Sequence, residues 1–419
     1  MDQATGRQKK ISEGKAGTQN IKKLLLVQHI LEIFYKEGVK TISELCDITN
    51  SSIPSLTTLM GELSEKGLVK NFGIGESKGG RKPALYGLDP DAGIVIAINL
   101  SQKYTRTAAF NLHNDQITPL KRINLGLENA GDIFPVLKEL CNGLIDEYKL
   151  EPSKILGYGI TIPGLIDIRK GVSYSYPQFE DKPLGEVFSK VFDKPVFTEH
   201  DTKAMALGEA WFGLAKEKRN VLFLNIGSGI GLGIIINGEL YHGNSGFCGE
   251  FGHIPMNPDG ELCYCGKIGC LETVASGSAL VKKSLDKIKG GKHTIISRLV
   301  QGNPEKVKLR HIIDAATNGD LFAIELIEEA GEYLAKGISI LIHLFNPEAI
   351  IIGGEMADAG NLITDPVQQK LNKYTMLRLK QDTTLLLSEL KEKSGLMGTL
   401  PIVVANTLIR HVVESNGSE

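Results

Sequence analysis

Hydrophobic positions recur with a helical period in the first quarter of the chain and with a strand period after it. Val27, Ile30, Leu31 and Phe34 fall at i, i+3, i+4 and i+7, which predicts an amphipathic helix from about Ile21 that Gly38 closes. A short second helix is predicted over 41–48, with Ile42, Leu45 and Cys46 on one face. Asn50 fits the turn that follows. Ser51 or Ser52 can cap a third helix, Pro54 suits its first turn, and Gly67 ends it. Leu56, Leu59, Met60 and Leu63 repeat the same spacing there. The next stretch, LVKNFGIGESKGGRKPALYGL, alternates apolar residues around a glycine-rich basic tip, the pattern of a β-hairpin. Helices with a tight turn before the last, followed by a hairpin, predict a winged helix-turn-helix DNA-binding domain at 20–88. Residues 1–19 are polar and basic without periodicity and are expected to be a flexible arm.

From residue 89 the period changes. GIVIAINL and YTRTAAFNL predict two apolar strands joined by a turn; KILGYGITIPGLIDI predicts a third and KPVFTEHD a fourth. Helices are expected at 133–148 and 202–214. VLFLNIGSGIGLGIIINGELYHG then repeats the opening order of strand, glycine turn and strand. Two α/β units with similar openings predict two lobes around a cleft. Leu321 to Phe345 is strongly apolar, with small residues at Ala335 and Gly337, and suits helices in the core or at a subunit interface.

Composition narrows the partners. At 419 residues, with 42% hydrophobic and 23% charged residues, the chain has the make-up of a soluble globular protein of two or three domains. Net charge is −2, so nucleic-acid binding must come from a local patch. The exposed face of the third helix offers Ser52, Ser55, Thr57 and Thr58, which read bases ambiguously. The tip offers Gly80, Arg81 and Lys82, suited to phosphates and the minor groove. The start has no apolar core for a signal peptide, and no run is long enough to span a membrane. Six cysteines, three of them within eight residues, point to a metal and a reducing cytoplasm rather than to disulfides.

Those three cysteines carry the chemistry. SGFCGEFGHIPMNPDGELCYCGKIGCLET holds His253, Cys263, Cys265 and Cys270, one imidazole and three thiolates. That is a closed tetrahedral donor set suited to structural Zn2+. Glycines at 260, 266 and 269 allow a tight loop. Glu250 and Glu272 bracket the set; carboxylates held rigidly near one point accept hydrogen bonds from adjacent sugar hydroxyls.

The spacing Glu-x-Gly-His, then Cys-x-Cys-Gly-x-x-Gly-Cys-x-Glu, resembles the signature of the ROK family of repressors and sugar kinases. The resemblance implies a zinc held by His253 and the three cysteines, and a sugar held by Glu250, His253 and Glu272. It implies an actin-like ATPase fold for the α/β body, with one lobe at 89–200 plus 396–419 and the other, carrying the zinc loop, at 201–395. Pro163-Gly164 resembles the family's sugar-side loop. Glu199-His200-Asp201 stands where the kinases have an Asn-Asp pair, so Asp201, with His200 beside it, is expected to meet the sugar. Gly227-Ser228-Gly229-Ile230-Gly231 and Gly353-Gly354 resemble nucleotide-side turns. The hairpin tip resembles the wing of the family's repressors.

One departure bears on function. The kinases open the body with Asp-x-Gly-Gly-Thr; here the matching residues are Asn99-Leu100-Ser101-Gln102-Lys103. The acid is an amide and both glycines carry side chains, which removes a metal ligand and obstructs phosphates. The expectation is therefore a non-enzymatic, cytoplasmic, sugar-responsive regulator, a repressor binding operator DNA as a homodimer or homotetramer, with a sugar or sugar-phosphate effector. The alternatives are a sugar kinase with a fused DNA-binding domain and a regulator controlled by a protein partner.

Overall fold

The computed structural model describes residues 15–75, 82–127, 132–167, 169–176, 179 and 182–414. The N-terminal part has three helices, α1 (Lys15–Glu37), α2 (Ile42–Thr49) and α3 (Ile53–Glu65). Helix α1 begins inside the stretch expected to be a flexible arm. Extending a formed helix backwards is easier than nucleating one, so polar residues join it without apolar spacing of their own. Thr41 and Glu44 form a capping box on α2: the Thr41 hydroxyl accepts from Glu44 N, and the Glu44 carboxylate accepts from Thr41 N at 2.7 Å. Asn50 turns the chain at φ 52°, and Ser52 takes the N-cap position of α3 without a side-chain bond. Strands β1 (Lys40–Thr41), β2 (Val69–Ile74) and β3 (Ala84–Leu88) make an antiparallel sheet in the order β1-β3-β2.

This unit is packed into the body. Val27, Ile30, Leu31, Phe34, Leu56, Leu59, Met60 and Leu63 are all buried, and their cluster continues into Val95, Ala97, Leu396, Leu400 and Val403. Tyr35 donates a hydrogen bond to Asn114, its ring lies 5.5 Å from Trp211, and Lys36 sits over that indole.

The body has two sheets with the same connectivity. The first contains β4 (Ile94–Leu100), β5 (Thr105–Asn111), β6 (Lys121–Ile123) and β7 (Ile155–Ile162). The short pair β8 (Ile166–Asp167) and β9 (Val172–Ser173) stands apart, and β10 (Val196–His200) completes the sheet in the order β10-β7-β4-β5-β6. The second contains β11 (Val221–Ile226), β12 (Ile230–Ile236), β13 (Glu239–Leu240), β14 (Ala349–Gly353) and β15 (Thr384–Leu387), in the order β13-β12-β11-β14-β15. In each, the first strand pairs antiparallel with the second and the second with the third, while the fourth and fifth join in parallel. The central parallel strand β7 is buried at all eight positions, as sheets covered on both faces require.

Two helices join the lobes. Asp201–Phe212 leaves the end of β10 and packs on the second sheet, through Ala206 against Val221, Phe223 and Ile235. Ser394–Glu414 returns from the second lobe and packs on β4 and β7 of the first. The two helices lie against each other. The apolar stretch near the C-terminal third is one continuous helix, Leu321–Phe345, rather than several. Ala335 and Gly337 are buried in it, in the core beside Phe251 and Leu271. No helix among the described residues is long and apolar enough to cross a membrane.

Candidate functional site

The predicted metal ligands converge. His253 ends a short turn, Phe251–His253, and the three cysteines lie on the loop beyond it; one donor atom from each falls within 4.8 Å of the others. Cys263 Sγ is 3.6 Å from His253 Nδ1, and Cys265 Sγ is 3.6 Å from Cys270 Sγ. A tetrahedron with bonds of about 2.1 Å to nitrogen and about 2.3 Å to sulfur has edges near ~3.6 Å, so these two edges have the length zinc requires and the donor set has its chemistry. Burial pushes the Cys270 thiol up to about 12 and raises Cys263, while the backbone N–H of Lys267 lowers Cys265. Buried thiols of that kind become thiolates when a cation sits among them. The backbone is shaped for the cluster: Cys263 N–H donates to Lys267 O and Leu271 N–H to Ile254 O. Gly269 has φ 73°, and a Cβ there would lie 1.6 Å from Asn257 O.

His253 faces two ways. With Nδ1 on the sulfurs, its Nε2 lies 3.0 Å from Tyr264 Oη and 3.9 Å from a Glu250 oxygen. A metal on one ring nitrogen fixes the ring and leaves the other to a carboxylate or a ligand. Glu272 opens the helix Glu272–Ala275 and accepts a hydrogen bond from Ile230 N at 2.8 Å. Burial raises its carboxyl above the ordinary range, with the Ile230 N–H opposing. Asp201 begins the crossing helix; its Oδ1 accepts from Thr202 N at 2.5 Å, and Thr202 Oγ1 accepts from Asn225 at 3.0 Å. His200 Nδ1 lies 3.4 Å from the same Asp201 oxygen.

Asp201, His200, Gly164, Glu250, His253 and Glu272 all line one cleft of about 1550 Å³ between the lobes. Carboxyl groups, an imidazole and backbone turns around such a space suit a ligand with several hydroxyls. Behind it, Glu199 holds His242 at 2.8 Å, and the buried Lys203 donates to Gly246 O, so the segment before Glu250 is tied to the base of Asp201. The sequence offered no signal for these pairings, since each joins residues 43 apart. Tyr264 was in view, inside the Cys-x-Cys pair, but nothing in spacing alone aims its hydroxyl at His253.

The turns after the first strand of each sheet also open on this cleft. In the first lobe Asn99 donates to Thr161 Oγ1 at 2.6 Å, and Ser101 Oγ donates to Tyr104 O at 2.8 Å. In the second, Gly229 lies against Glu272, where a Cβ would come within 2.6 Å of Oε2. A Cβ on Gly231 would come within 2.4 Å of Thr202 Oγ1. These glycines therefore have a packing reason beside Glu272 and Asp201, whatever occupies the far end.

On the N-terminal unit, Ser52, Ser55, Thr57 and Thr58 are exposed on α3. Thr57 and Thr58 donate back to Ile53 O and Pro54 O at 2.8 and 3.1 Å, which leaves their oxygens as acceptors. Lys82 is exposed. Gly80 and Arg81 lie outside the described residues.

Comparison with known proteins gives a consistent result. Residues 96–406 match the family model described as "ROK family". A xylose repressor of Caldicellulosiruptor bescii is 31% identical over 394 residues, covering 93% of this chain and 97% of the relative. A glucokinase of Thermotoga maritima is 36% identical over 271 residues, covering 64% of this chain and 84% of the enzyme. Among solved structures, a ROK family transcriptional regulator described as a homologue of the E. coli MLC protein superposes with a TM-score of 0.77 at 26% identity, covering 93% of this chain and all of that one.

Proposed function

The chain belongs to the ROK family, and we propose that it is a sugar-responsive transcriptional repressor without kinase activity. The body has the family's actin-like sugar-kinase fold. In this reading residues 20–88 are a winged helix-turn-helix: α3 lies in the major groove with Ser52, Ser55, Thr57 and Thr58 toward the bases. The wing brings Gly80, Arg81 and Lys82 to the phosphates or the minor groove. The lobes are 89–200 with 396–419, and 201–395. Sugar hydroxyls bind Asp201, Glu250, His253 and Glu272, with His200 and Gly164 at the edge. Zinc on His253, Cys263, Cys265 and Cys270 keeps the imidazole and Glu250 in place. A homodimer or homotetramer in the cytoplasm, reading a two-fold operator, completes the reading. The exposed Leu344, Phe345, Met376 and Leu377 offer apolar surface for such an assembly.

The observation that carries the proposal is the helix Asp201–Phe212. Its first residue faces the ligand cleft, and Trp211 near its last turn packs on Tyr35 and Lys36 of α1. Twelve helical residues span about 18 Å as a stiff rod. A ligand that favours one setting of Asp201 thereby favours one setting of α1, which is the differential contact that coupling requires. The test selects an operator from random duplexes, then measures DNA affinity by anisotropy with and without a sugar panel. One sugar is expected to weaken DNA binding at least tenfold. Trp211→Ala is expected to keep sugar binding within about twofold and cut that tenfold response to less than threefold. Sugar-insensitive DNA binding, or undiminished coupling in Trp211→Ala, contradicts the reading.

A further inference from the structure

At one end of the cleft, beside the Ser101–Tyr104 turn, two arginines stand directly opposite each other. Arg106 on β5 and Arg122 on β6 are paired residues in the antiparallel register. Like charges in that relation repel and ordinarily destabilise a sheet. Here Tyr104 takes both guanidiniums, with Arg106 4.5 Å and Arg122 4.2 Å from its ring centre. Glu392, on the segment that arrives from the other lobe, meets Arg106 at 3.0 Å. The side chain of Arg106 is only 11% exposed, and its Nε is buried with no hydrogen-bond partner among the described residues. Arg106, Arg122, Lys103 and Tyr104 line the same continuous cleft as Asp201 and Glu272.

A buried donor left over, an opposed pair of guanidiniums and one exposed carboxylate, on Arg106, describe a site short of negative charge. Guanidinium forks match phosphate oxygens two at a time, which a lysine or a neutral donor does not. We propose that this end of the cleft binds the phosphate group of a phosphorylated small molecule, through Arg106 and Arg122, with Lys103 adding charge. Taken with the sugar site of the preceding section, on which this part rests, the effector is a sugar phosphate ester: hydroxyls on the carboxylates and phosphate on the arginines. Replacing Glu392 on Arg106 by the ester also removes an interlobe ion pair, so this ligand alters the contact between the lobes when it binds.

The experiment is calorimetric titration of the full chain at fixed ionic strength. The probes are glucose, N-acetylglucosamine and xylose, the corresponding phosphate esters, and inorganic phosphate. At least one ester is expected to bind tenfold or more tighter than its parent sugar, with inorganic phosphate competing. Arg122→Gln is expected to lose that tenfold and to bind the parent sugar within twofold of the unmodified protein. Arg122 is exposed, so its variant tests the site without disturbing the core; Arg106→Gln repeats the test from the buried side. Esters that bind no tighter than their sugars, or bind Arg122→Gln unchanged, overturn the phosphate site and leave the sugar reading standing. Inorganic phosphate bound by the protein and lost in Arg122→Gln, with no sugar bound, keeps the phosphate site and overturns the sugar reading.

Discussion

The two sheets of the body have one topology and two different first turns. In the second lobe the turn is Gly-Ser-Gly; Gly229 admits Glu272 and, just beyond, Gly231 admits Thr202, while a Cβ on Gly227 would meet nothing within 4 Å. In the first lobe it is Ser-Gln-Lys-Tyr, closed on itself through Ser101 and flanked by Asn99 bonded to Thr161. A kinase of this fold needs both turns bare, because phosphates approach backbone from either side. At Gly229 the second turn has a packing reason to stay bare in a protein that only binds a sugar; at Gly227 it has none. The first has none, and here it is filled with side chains and flanked by arginines. The difference teaches that glycine retained in a nucleotide-like loop is evidence of nucleotide only when nothing else sits where the Cβ would be.

The comparison breaks outright if the protein is a kinase. With labelled ATP, magnesium and a panel of aldoses, ketoses and N-acetylated sugars, no multiple-turnover product is expected. Enzymatic rate enhancements of about 10⁶-fold or more leave no doubtful middle ground. Product that disappears in Asp201→Ala would mean that the filled turn still admits a phosphoryl donor. The next largest effect concerns the support of the second lobe's site. Cys265→Ser is expected to lower bound zinc from about one per chain to none, as measured by elemental analysis. Sugar affinity should fall on the order of 100-fold as His253 and Glu250 loosen, the upper range for lost support around a metal. The smallest effect sharpens the contrast directly. Gly229→Ala should weaken sugar binding roughly tenfold, ~1.4 kcal/mol, because its Cβ displaces Glu272. Ser101→Gly in the other turn should change it by less than about twofold. Equal responses in a titration of both variants would erase the distinction between the turns.

Local periodicity carried far. Every residue named for the apolar faces of α1 and α3 is buried, and the four metal donors cluster as their spacing implied. Short edge strands such as β6, of three residues, and the parallel strand β15 escaped. The first is too short for a period to register, and the second is defined by pairing with β14, a partner 35 residues away. The same limit hid the Arg106–Arg122 pair: each arginine reads as a solvated charge until the register of β5 on β6 sets them opposite. Residues 1–14 and 76–81, which hold most of the expected arm and the wing tip, lie outside what is described.

The core that α1 and α3 share with Val95, Ala97 and the closing helix has a consequence for how such chains can be recombined. Cutting at residue 89 looks natural, since the hydrophobic period changes there and a turn follows at Pro90–Ala92. Yet the cut passes through one continuous apolar cluster, and Trp211, Leu396 and Leu400 on the far side supply part of its lining. A chimera that imports another N-terminal segment inherits a mismatched seam of side chains. It should express as a less stable protein unless those partners travel with the graft. The N-terminal unit is thus a layer of the body in space, and any replacement for it would have to bring its own half of the seam.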